Sequence, residues 1–195
     1  MRLALWFVIF LPLAGARAAA PQNEAALTAI DALLQGRYDN STQLAKAANG
    51  AEPAIPAVSV VIEPAPQKHW TLWHVHIATD AQTSFDQTWA METRFEYNGS
   101  GALVPYYQFK QDVAPTVATF KTGDWLSLEA CALRGAFSAT RVEGMSEGEP
   151  CVAVSMNVGA RRALLPVGIE REGHALLLDM NLRSVRTRIE MKRVP

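Results

Sequence analysis

Apolar positions along the chain follow two periods. Between Asn23 and Gly36, Leu27, Ile30, Leu33 and Leu34 recur at helical spacing, with Asn23 suited to start a helix and Gly36 to stop one. Beyond Gly36 the period falls to two. Residues 69–78 show it most clearly: Trp70, Leu72, His74 and His76 share one face, and Thr71, Trp73, Val75 and Ile77 share the other. Further short runs cover 58–62, 88–97, 103–111, 117–121, 125–133, 137–142, 151–157, 163–169, 174–178 and 185–191. Between them fall turn formers such as Asn49-Gly50, Pro64-Ala65-Pro66, Asn98-Gly99 and Thr122-Gly123-Asp124. Residues 37–45 read as the start of a strand, although Ala45-Lys46-Ala47-Ala48 also suits a helix. Many short strands at near-even spacing predict an all-β sandwich or barrel, and a single helix beside them favours an antiparallel barrel with one plugged end.

The first residues follow a different logic. Met1-Arg2 is a short positive end, residues 3–13 are apolar, and Ala16-Arg17-Ala18 fits a small-x-small cleavage pattern. We therefore expect a signal peptide over 1–18 and a single barrel domain over 19–195, secreted or periplasmic and without a membrane span. Loss of Arg2 and Arg17 leaves 16 basic residues against 19 acidic ones, a charge of about −3. That balance argues against nucleic acid as a partner.

The compartment changes the reading of the two cysteines, Cys131 and Cys151. In an oxidising space they suit a structural disulfide. The alternative is a reactive thiol pair, which needs electropositive surroundings; Glu129 and Glu149 are acidic neighbours instead.

Other chemistry is sparse. His74 and His76 have the spacing of strand-borne metal ligands, but no third ligand is evident, and we expect no metal site. Gly-x-Ser-x-Gly, phosphate-loop and dinucleotide patterns are absent. Trp70, Trp73, Trp89, Phe95, Tyr97, Tyr106, Tyr107 and Phe109 crowd one stretch, which suits either a small-molecule pocket or an ordinary barrel core. Arg183, Arg186, Arg188, Lys192 and Arg193 give the last strand a basic face, either solvated or a rim for an anionic group.

Several segments together resemble the T-type phycobiliprotein chromophore lyases (the CpcT/CpeT family). They are Leu33-Leu34-Gln35-Gly36-Arg37-Tyr38-Asp39-Asn40 with Gln43 following, Glu92 on a later strand, Pro105-Tyr106-Tyr107-Gln108, the pair Cys131 and Cys151 flanking Phe137, and Asp179. The chain departs from the family at Tyr107, which stands where the family has Arg, and at Thr93, where it has Gln. The resemblance implies a lipocalin-like (calycin) barrel that handles open-chain tetrapyrroles (bilins). It implies Glu92, Tyr106, Tyr107 and Asp179 as ligand-binding residues, carboxylates meeting pyrrole N–H groups and arginines meeting propionates. The expected role is binding or chaperoning a small lipophilic ligand, a bilin or other tetrapyrrole. One alternative is a true bilin lyase acting on an acceptor protein; another is a structural or interaction domain with a filled barrel. Asn40 and Gln43 are expected to satisfy backbone groups where the chain enters the barrel.

Overall fold

Inward apolar residues at every second position are what a closed sheet requires, and this chain supplies them strand after strand. A computed structural model describes residues 19–50, 55–78, 84–108, 115–147, 151, 164–182 and 185–195. The expected signal peptide, residues 1–18, lies outside them, as do most of 151–157 and Phe109.

Helix α1 (Ala19–Leu34) leads into β1 (Gly36–Asp39), α2 (Ser41–Ala48), β2 (Ala57–Pro64), β3 (Trp70–Ala78), β4 (Ser84–Phe95) and β5 (Gly101–Gln108). Two 3₁₀ turns, a short β6 (Trp125–Ser127) and a third 3₁₀ turn (Glu129–Cys131) follow. The chain then runs through β7 (Leu133–Phe137), β8 (Arg141–Ser146), β9 (Pro166–Glu172), β10 (Ala175–Leu182) and β11 (Val185–Val194). Among the described residues, ten strands close into an antiparallel ring in the order β1-β2-β3-β4-β5-β7-β8-β9-β10-β11. The first and last strands complete it, Arg37 opposite Val194, Tyr38 opposite Arg193 and Asp39 opposite Lys192. The protein is thus an all-β, lipocalin-like barrel: its periodicity predicts the barrel, and the family resemblance implies the lipocalin-like form.

The inward set forms one continuous core to which every ring strand contributes. It includes Tyr38, Val60, Trp73, Trp89, Leu103, Leu133, Val142, Ile169, Leu178 and Ile189. Trp73 and Trp89 are fully buried, with ring centres 6.3 Å apart. Among the described residues these side chains have almost no accessible surface, so the part of the interior they line is packed.

Helix α1 plugs one end. Ile30 and Leu34 join the inward core, and the last carbonyls of the helix find donors. The Tyr38 hydroxyl donates to the Leu34 carbonyl at 2.9 Å, and the guanidinium of the buried Arg171 donates to the Leu33 carbonyl at 3.1 Å. Arg171 also donates to the Tyr38 hydroxyl and to the carbonyls of Gly173 and Ala175, and lies over the Tyr38 ring. A cation at a helix C-terminus completes orphan carbonyls and opposes the helix dipole. Gly36 turns the chain from helix to strand at φ 143°, where a Cβ would press on the Arg193 guanidinium.

The ladder is interrupted twice. At the first break β1 ends after four residues and α2 occupies the space between β2 and β11. Asn40 accepts from the Val58 N–H at 2.8 Å and donates to the Pro56 carbonyl at 2.9 Å. Gln43 accepts from the Glu190 N–H at 2.9 Å and donates to the Arg188 carbonyl at 3.1 Å. Both amides thus stand in for missing strand backbone, as expected for these two residues. At the second break, one edge of β5 is shared: Tyr106, Tyr107 and Gln108 face β6, while Gly101, Ala102 and Leu103 face β7. The turn Glu129–Cys131 fills the seam between them, and the buried Cys131 is disulfide-bonded to the buried Cys151, beyond β8.

Local differences from the sequence reading have clear causes. Residues 37–45 divide into a strand and a helix, because Asn40 and Gln43 supply from side chains the bonds a longer strand would have made. Residues 117–121 are not a strand: Thr116 and Thr119 cap each other and wind a 3₁₀ turn. Residues 137–142 span a turn, where the Ser138 hydroxyl accepts from the N–H groups of Thr140 and Arg141. Helix α1 begins at Ala19, so Asn23 lies within it.

Candidate functional site

Strand β4 presents Trp89, Met91 and Thr93 inward, and therefore Ala90, Glu92 and Arg94 outward. Tyr106 on β5 lies directly across from Ala90, and Trp70 on β3 directly across from Glu92. Ala90 is small enough for the large rings on either side to meet above it. Trp70 and Tyr106 do so, with centroids 4.1 Å apart. The segment before and through β6 lays Phe120 edge-on to Trp70 at 5.7 Å and stacks Phe120 on Trp125 at 5.8 Å. This makes a second, smaller apolar cluster on the outside of the barrel.

Glu92 and Tyr106 meet at the margin of that cluster. The phenol donates to Glu92 Oε2 at 2.5 Å, the length of a charge-assisted O–H···O⁻ bond. Burial, then the adjoining Glu92 carboxylate, pushes the Tyr106 hydroxyl up to about 12. A chain of charges runs on from Glu92: Arg94 lies 3.9 Å from it and reaches Glu129 at 2.6 Å and Glu96 at 3.1 Å, and Arg134 joins Glu129 at 2.5 Å. Burial works against the Arg94 charge, but Glu96 and Glu129 outweigh it and hold the guanidinium protonated beyond its ordinary range. The patch therefore offers a cluster of tilted aromatic rings in which Trp70 and Trp125 are buried and Tyr106 and Phe120 partly exposed, beside a carboxylate–phenol pair and two partly exposed arginines.

Of the four ligand-binding residues expected from sequence, the fold brings two together. Tyr107 points the other way from Tyr106 and packs against the inward core. Asp179 faces outward from β10, which is five strands from β4 in either direction around the ring, on the opposite wall. There it accepts from Arg186 at 2.6 Å and lies against Gly168, with Arg188 at 4.0 Å. Arg188 pairs with Glu170 at 2.7 Å, so the basic residues of the last strand that lie here are held in ion pairs. Arg183 falls outside the described residues.

His74 and His76 face outward and are engaged singly. His74 Nδ1 is 3.1 Å from the Thr88 hydroxyl, and His76 Nδ1 is 2.8 Å from Asp86. Among the described residues no group of three potential metal ligands forms. No helix among them is long and apolar enough to cross a membrane. Sequence reasoning passed over Arg171, although its signal was present: it follows Val167 and Ile169 in inward phase, a charge where an apolar residue was due. It also passed over the contacts of His69 with helix α1.

Compared with family models, with curated proteins and with solved structures, the chain finds no match. The class to which it belongs is therefore defined by its own architecture, a disulfide-bonded, lipocalin-like up-and-down barrel with one helix-plugged end.

Proposed function

We propose that this protein is an exported binding or chaperone barrel, of the kind suggested by its resemblance to the T-type chromophore lyases, and that it holds a planar, lipophilic, anionic molecule of the tetrapyrrole class. The observation that carries the reading is the 2.5 Å Tyr106–Glu92 bond beside the Trp70 ring. A carboxylate and a phenol at the margin of an aromatic cluster are what a ring system bearing N–H groups needs, and Arg94 and Arg134 lie near enough to meet its acid groups. The ligand lies along the outer wall of β3–β5, since the interior lined by the described core residues is packed. Export fits the disulfide, which persists in oxidising compartments.

A bilin lyase is the narrower form of this reading. Both of the chain's own cysteines are in the disulfide, so the bilin would pass to a thiol of an acceptor protein. The packed interior favours a second reading, a structural or interaction domain with no small ligand.

Titration with biliverdin and with haem, followed by absorption and tryptophan quenching, separates them. Binding is expected to saturate at micromolar affinity or tighter, about −8 kcal/mol. Glu92→Gln and Tyr106→Phe each weaken it, while Asp179→Asn, on the opposite wall, leaves it unchanged. Non-saturable quenching indifferent to all three substitutions leaves the structural reading. A covalent bilin adduct on an added acceptor protein establishes the lyase.

A further inference from the structure

His69 occupies an unusual place. It closes the β2–β3 hairpin at φ 60°, the left-handed region that non-glycine residues seldom enter. Its carbonyl accepts from the Thr93 N–H at 2.8 Å, which fixes the backbone against β4. The imidazole turns toward helix α1. Nδ1 lies 2.9 Å from Asp31 Oδ2 and Nε2 lies 3.0 Å from Glu24 Oε1, two carboxylates two turns apart on the same helix. His69 and Asp31 are mostly buried, with side-chain exposures of 15% and 13%. Lys68 also reaches Glu24, and the Lys68 ammonium first, then His69, hold the Glu24 carboxyl below its usual range. These are the charged groups that the structure places against the ring: Glu24 and Asp31 from α1, and Lys68 from the hairpin.

Proton counting decides what this arrangement can do. A carboxylate only accepts hydrogen bonds, and a neutral imidazole donates only one. Both contacts are therefore satisfied only when both ring nitrogens carry protons. Without the second proton, a nitrogen lone pair faces a carboxylate oxygen. The other oxygen of Asp31, Oδ1, is buried with no partner, so Asp31 has no second bond to fall back on. The far end of the helix is anchored differently, by Arg171 and Tyr38 on the carbonyls of Leu33 and Leu34.

We propose that His69 is a proton-operated latch: its imidazolium clamps the body of helix α1 to the β2–β3 hairpin, and loss of the proton loosens the helix that plugs this end of the barrel while its C-terminal turn stays fixed. The left-handed backbone at His69 is held by the Thr93 bond so that the ring meets both acids. Proton uptake closes the plug, and proton loss eases it.

The test is amide exchange on the full chain, corrected for intrinsic rates, at about pH 5.5 and about pH 8, which bracket the imidazole range. Protection over residues 24–31 is expected to fall about tenfold or more at the higher pH, the worth of one charge-assisted hydrogen bond, while β3 and β4 are unchanged. His69→Asn is the control variant, because asparagine tolerates positive φ and keeps the hairpin folded. It should show the lower protection at both pH values. The double variant Glu24→Gln, Asp31→Asn should likewise lose the pH dependence. Equal protection of the wild-type helix at the two pH values overturns the latch, as does a pH response that persists undiminished in His69→Asn.

Discussion

The two breaks in the barrel wall pose one problem and receive two answers. At each, a strand edge in a closed ring would be left without a backbone partner, which folded proteins rarely tolerate. Between β2 and β11 the repair is noncovalent: two side-chain amides, Asn40 and Gln43, complete four hydrogen bonds with backbone that strand pairing would otherwise have met. Between β5, β6 and β7 the repair is a turn drawn into the seam, where the Leu128 N–H donates to the Pro105 carbonyl and a disulfide ties Cys131 to Cys151. Amides suit the first gap because the missing partners are single peptide groups at fixed register. A covalent tie at the second holds the inserted turn to the residue beyond β8, 20 positions further along the chain.

The comparison breaks most readily at the disulfide. Its loss, by Cys131→Ala with Cys151→Ala or by reduction, should lower stability by about 3 kcal/mol in denaturant unfolding, from the loop the bond closes. A change under about 1 kcal/mol would mean that the turn seals the seam unaided. Next in size is Asn40→Ala, which leaves the buried Val58 N–H without an acceptor and should cost about 2 to 3 kcal/mol, with Gln43→Ala at about 1 to 2 kcal/mol. If Gln43→Ala proves the more harmful, α2 is holding β11 in place rather than merely filling space. The smallest effect concerns Tyr106, opposite Ser127 at the seam. Its hydroxyl titrates near 12 in the folded chain against an ordinary value of 10, so the folded state favours the neutral phenol. Stability from this source is complete below about pH 10 and is lost as pH rises toward about 12. Ultraviolet titration of tyrosinate alongside unfolding curves should show that component in the wild type and not in Tyr106→Phe.

How far the sequence reached follows from which interactions are local. Alternation placed Thr71, Trp73, Val75 and Ile77 together, and the structure buries all four on one face of β3. Alternation is a property of consecutive residues, so it is legible. The disulfide rested on compartment and composition, and it is present. Residues 117–121 looked like a strand because Val117, Thr119 and Phe120 are good β-formers, yet a mutual Thr116–Thr119 cap outweighed that preference. Asp179 and Glu92, grouped by the family resemblance, lie on opposite walls of the ring. Both face outward, but whether outward positions adjoin depends on strand count around the ring, which no local pattern encodes. Tyr107 was grouped with Tyr106 through the family resemblance of Pro105-Tyr106-Tyr107-Gln108, and as adjacent strand residues the two face opposite sides.

The pairing of β1 with β11 also sets an order of events in time. Residues 37–39 have no inter-strand partner on one side until residues 192–194 exist beside them. A chain delivered from its N-terminal side therefore forms an open meander with two raw edges, and the cylinder is completed only when β11 arrives. Such far-separated pairing is slow, and exposed edges invite other chains. Loss of residues 192–194 would thus leave the barrel arrested one step short of closure, with its first strand waiting for a neighbour that never arrives.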